Sequence, residues 1–98
     1  MLDQLSHASF APHVDETFEL QAGEMTLELT LAETSVLGGD RQEGQREQFS
    51  LLFRGRKEGP LLQQGTFQLR HQKLGELALF LVPLGPDADG MRYEAVFT

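Results

Sequence analysis

Phe49-Ser50-Leu51-Leu52-Phe53-Arg54, Thr66-Phe67-Gln68-Leu69-Arg70-His71, Glu76-Leu77-Ala78-Leu79-Phe80-Leu81-Val82 and Met91-Arg92-Tyr93-Glu94-Ala95-Val96-Phe97-Thr98 follow one another through the second half of this 98-residue chain. Each run alternates apolar and polar residues, or is apolar on both faces, and turn residues separate them. Side chains on a strand point alternately to opposite faces, so this pattern predicts strands rather than helices. Lys73-Leu74-Gly75 reads as a tight hairpin turn, with Gly75 free to take a positive φ, and Asp89-Gly90 leads into the last strand. Pro83 is expected to end the strand before it.

Working outward, Glu24 to Leu31 has the cleanest alternation, with Met25, Leu27, Leu29 and Leu31 on one face and Glu24, Thr26, Glu28 and Thr30 on the other. Thr17–Gln21 reads as a short strand, joined to it by Ala22-Gly23-Glu24. Leu2, Leu5 and Phe10 make one apolar stripe on a short helix that stops before Pro12. The polar stretch Arg41–Gln48 reads as an exposed loop, and Leu61 and Leu62 as pinned to the core after Pro60. No segment is long enough for a βαβ crossover helix. The expected fold is one all-β domain over residues 1–98: an antiparallel barrel or two-sheet roll of about six strands with one short N-terminal helix.

Ninety-eight residues support one modest core, and 40% apolar with 23% charged residues is ordinary globular composition. There is no cysteine, which excludes disulfides and thiolate chemistry. The start Met1-Leu-Asp-Gln-Leu has no basic, apolar leader, so a bacterial-type cytoplasmic protein is expected, with no membrane span. The formal charge of −7 is uneven: residues 1–40 hold eight acids and no Lys or Arg, and residues 41–98 hold seven acids and all eight bases. That balance speaks against a nucleic-acid partner, which needs a basic face. It suits acids of early strands facing bases of later ones, or head-to-tail self-association.

Motifs for chemistry are sparse. Gly85-Pro86-Asp87-Ala88-Asp89-Gly90 resembles the middle of a calcium loop, but Gly85 stands where the first acid belongs and Val96 where the bidentate Glu belongs. A hairpin turn is the better reading. His7, His13 and His71 lack zinc spacing, and His71 at a strand end reads as a hydrogen-bonded structural histidine. No nucleophile elbow or phosphate loop is present, so the expectation is a non-enzyme with no catalytic residues, no metal and no cofactor. Arg54, Arg56 and Lys57 form the only local basic cluster and are the weak candidates for an anion site. Leu52, Phe80, Val82 and Val96 point opposite to the main core set. This second apolar face is either covered by Leu2, Leu5 and Phe10 or left as a docking surface for another protein or a second copy. The last strand could also offer an edge to another chain.

A resemblance rests on five segments: Leu5–His13, Phe49–Gly55, Gln64–His71, Leu74-Gly75-Glu76 through Phe80–Pro86, and Met91–Phe97. Together they resemble a family of small bacterial proteins known only as a domain of unknown function. These are strand-and-turn signatures, and the resemblance implies no activity and no catalytic residues. Such proteins resemble neighbours of phage-tail-collar-like proteins, which implies an accessory or assembly role beside a larger tail-like or surface protein. The alternative is a small-ligand-binding β-barrel or minor enzyme.

Overall fold

Buried and exposed side chains alternate along six strands in the computed structural model, which describes residues 7–36, 48–56 and 62–97. The strands are β1 (Thr17–Ala22), β2 (Met25–Val36), β3 (Phe49–Gly55), β4 (Gly65–His71), β5 (Gly75–Asp87) and β6 (Gly90–Phe97). A four-residue helix α1 (His7–Phe10) and a 3-10 turn (Ala11–His13) precede them. All pairings are antiparallel, and the sheet closes into a barrel in the order β1-β2-β3-β6-β5-β4. The all-β expectation of a six-stranded antiparallel barrel with one short N-terminal helix is the observed fold.

Barrel and roll are one object here. β2 pairs with β1 from Met25 to Thr30 and with β3 from Thr30 to Val36, with a bulge between Leu31 and Glu33. β5 pairs with β4 from Gly75 to Leu81 and with β6 from Val82 to Asp87, with a bulge between Pro83 and Gly85. Each long strand bends at its bulge and passes from one layer to the other, which is how strands turn the corners of packed sheets.

Two boundaries differ from the sequence reading for this reason. β2 does not stop at Leu31 but runs to Val36. Pro83 does not end β5; it sits at the bulge, where a strand tolerates a residue without an N–H. β6 is no free edge either, since β3 pairs with it throughout and β5 with it from Gly90 to Glu94. Closure takes up the β5 side of β6 over Gly90–Glu94, while Ala95–Phe97 pair with β3 alone.

The inward residues fill the barrel, and Phe18, Phe49, Phe53 and Tyr93 are each at most 2% exposed. Met25, expected inward, is 49% exposed because it sits where β2 begins, beyond the core. One barrel end is closed by α1. Phe10 is fully buried, with its ring centroid 5.9 Å from that of Phe49 and 5.6 Å from that of Phe97, and the latter two rings stack at 4.4 Å. The helix therefore plugs an end, and Phe10 does not cover the outer apolar face; Leu2 and Leu5 lie outside the described residues. At the other end Leu62 is buried, and its N–H donates to Tyr93 Oη at 3.1 Å. The expected loop Arg41–Gln48 lies outside the described residues except for Gln48, and Leu61 lies outside them too. Among the described residues no helix is long and apolar enough to cross a membrane.

Candidate functional site: the outer face of β3, β6 and β5

Residues paired across antiparallel strands share a face, so the register builds the outer surface row by row. One row runs Glu33, Leu52, Glu94, Val82 across β2, β3, β6 and β5. The next runs Ser35, Ser50, Val96, and Phe80 lies two residues before Val82 on the same face of β5, where its pairing partner is Thr66 of β4. Phe80 is 52% and Val96 50% exposed, whereas Leu52 and Val82 are half-buried. The structure thus gathers Leu52, Phe80, Val82 and Val96 from three neighbouring strands onto one outer surface.

Arg54 belongs to the adjoining row, opposite Thr30 and Arg92. Its guanidinium donates through Nε and one terminal nitrogen to Asp87 Oδ2 at 3.0 and 2.7 Å. Asp87 Oδ1 accepts from the N–H groups of Asp89 and Gly90 at 2.9 and 3.0 Å, which shapes the two-residue β5–β6 hairpin. This is the hairpin reading of Gly85–Gly90. The hydrogen bonds from Arg54, then from the Asp89 backbone, hold the Asp87 carboxyl down at about 2. Arg54 and Arg56 border a surface groove of about 550 Å3 that Asp15, Glu28 and Asp89 also line. Three carboxylates beside two guanidiniums is a poor setting for an anion. Lys57 lies outside the described residues.

Tertiary structure also makes a cluster that sequence spacing missed. His13, Glu16 and His71 each bring a ligand-type atom within 4.8 Å of the others. Asp15, in a left-handed φ of 75° that Asp tolerates, turns the chain from the 3-10 turn into β1. Glu16 Oε1 then meets His13 Nδ1 at 2.9 Å and His71 Nε2 at 2.7 Å. The buried His71 ring packs at 4.5 Å on both His13 and Phe18. Hydrogen bonds from His71 and then His13 keep the Glu16 carboxyl below its ordinary range.

The hydrogen bonds decide what this cluster can do. The N–H groups of Lys73 and Leu74 both converge on His71 Nδ1 at 3.1 Å. That nitrogen carries the lone pair, so Nε2 carries the proton and donates it to Glu16. A metal on Nε2 would require the ring either to become an anion or to move its proton to Nδ1, against the N–H groups of Lys73 and Leu74 that already point there. Only His13 and Glu16 would remain, fewer than a zinc site needs. The trio reads as a latch between the N-terminal cap and β4, which fits the expected structural histidine. His13 and His71 lie 58 positions apart, and no short-range pattern announces such a pair.

The model of the domain of unknown function DUF6916 matches residues 5–97. The chain belongs to the DUF6916 family. The DUF6916 match contains the outer face, the Arg54–Asp87 pair and the histidine cluster, and leaves out only residues 1–4 and Thr98. No curated protein and no solved structure matches the chain.

Proposed function

We propose that this DUF6916 chain is a non-enzymatic interaction or assembly module that docks another protein on the outer face of β3, β6 and β5. The supporting observation is the half-exposure of Phe80 and Val96 on a barrel that already has a filled core. Large apolar groups gathered on one surface gain free energy when a partner covers them. The buried phenylalanine, tyrosine and leucine side chains gathered inside the barrel favour this over a ligand-binding barrel. Engagement of both His71 nitrogens, together with the lowered Glu16, favours a structural role over acid-base chemistry. In this reading the partner is a larger tail-like or surface protein of a bacterial cell, as the family resemblance implies.

Site-specific photo-crosslinking in the native host tests it. A photoreactive residue at position 80 or 96 is expected to give a discrete adduct, while one at the exposed Glu19, on β1 across the barrel from β6, gives none. Equal labelling at all three positions, or none at 80 and 96, would overturn the reading.

A further inference from the structure

The docking face carries a carboxylate at its middle. Glu94 lies between Leu52 and Val82 in one row and two residues before Val96 on β6. It is half-buried, and its side chain has no hydrogen bond or ion pair with any described residue. The nearest cations by register are committed elsewhere. Arg54 holds Asp87, and Arg92 reaches the carbonyls of Gly85 and Leu84 at 3.4 and 3.3 Å. Glu33, across Leu52 in the same row, adds a second acid at the rim.

These positions restrict what can sit there. A partner that covers Phe80, Val96, Leu52 and Val82 also strips water from Glu94. A carboxylate desolvated without a counter-charge is strongly disfavoured, so an uncharged or acidic partner would lose what the apolar contact gains. A second copy in a two-fold arrangement would bring like surfaces, with their acids, against each other in a chain of net charge −7. We propose that the occupant is a basic amphipathic segment of a partner protein, with a lysine or arginine meeting Glu94 and flanking apolar side chains covering Phe80 and Val96. This rests on the docking reading above and specifies the chemistry of that partner.

The test uses the whole chain, isotope-labelled for NMR, and two short peptides that alternate leucine with lysine or leucine with glutamate. The lysine peptide should shift the amide signals of Leu52, Val82, Glu94 and Val96, and the glutamate peptide should not. Glu94→Gln should weaken lysine-peptide binding about tenfold, the worth of a charge-assisted hydrogen bond. Glu19→Gln, on β1 across the barrel from β6, should leave it unchanged. Equal binding of both peptides, binding of neither, or an unchanged affinity in Glu94→Gln would overturn the proposal. A wild-type dimer in sedimentation that Phe80→Glu abolishes would also overturn it, in favour of a second copy. If crosslinks at positions 80 and 96 persist in a Glu94→Lys background, cation recognition fails while the docking module stands.

Discussion

His71 Nε2 donates to Glu16 Oε1 across 2.7 Å, joining the end of β4 to the residue that leads into β1. The same ring accepts the N–H groups of Lys73 and Leu74, so one buried side chain organises the β4–β5 turn and anchors the N-terminal cap together.

Replacing His71 with phenylalanine keeps the ring against Phe18 but removes both functions. Two backbone donors then lose their acceptor, which should cost about 1–3 kcal/mol. In a domain of this size each kcal/mol is worth roughly 4–8 °C in a thermal melt. Glu16→Gln retains an oxygen acceptor and should lose less. Zinc should not raise the melting temperature of the wild-type protein, because the His71 lone pair already has two donors. A wild-type melt for His71→Phe, or a zinc-dependent rise of many degrees, would count against the latch.

The Arg54–Asp87 pair predicts the acid side of the stability curve. The folded Asp87 carboxyl, at about 2, lies below its value in the unfolded chain, about 3.9. Its contribution is therefore complete above pH 4 and disappears as the pH falls towards 2. The lowered Glu16 acts in the same sense. The raised value of Arg54 has no effect in this window, since the guanidinium stays charged throughout. Asp87→Asn should lower stability at pH 6 and flatten the loss between pH 4 and pH 2, read as urea midpoints along a pH series. A variant with the same acid slope as the parent would show that Asp87 does not carry it.

Leu79 and Phe80 are sequence neighbours with opposite fates. Leu79 is 3% exposed in the barrel core, and Leu79→Ala should cost about 2–5 kcal/mol. Against a total of about 5–15 kcal/mol, that is a conspicuous loss. Phe80→Glu on the outer face should change stability by no more than about 0.5 kcal/mol, as for an ordinary surface site. Chemical denaturation of the two variants side by side gives the comparison. Unfolding by Phe80→Glu would make the outer face part of the core and remove the basis of the docking proposal.

Strand identity and facing came from local periodicity. Leu77, Leu79 and Leu81 point inward and Phe80 outward because successive side chains on a strand alternate, whatever the partner strand is. That alone places Leu52, Phe80, Val82 and Val96 on the outside. Gly75, at φ 77°, does what its turn position requires. Three matters depended on contacts between residues far apart in the chain. Closure by β1 against β4, with β3 and β5 on either side of β6, turned the first part of the last strand, to Glu94, from an edge into an interior strand. The bulges at Leu31/Glu33 and Pro83/Gly85 carried β2 and β5 past their apparent ends, because a strand that changes layers has to bend where its pairing partner changes. The meeting of His13, Glu16 and His71, and the place of Glu94 between Leu52 and Val82, follow from strand register. Register is a property of the packed barrel: hydrophobic alternation tells which side a residue faces, and only the paired strands tell which residue stands beside it.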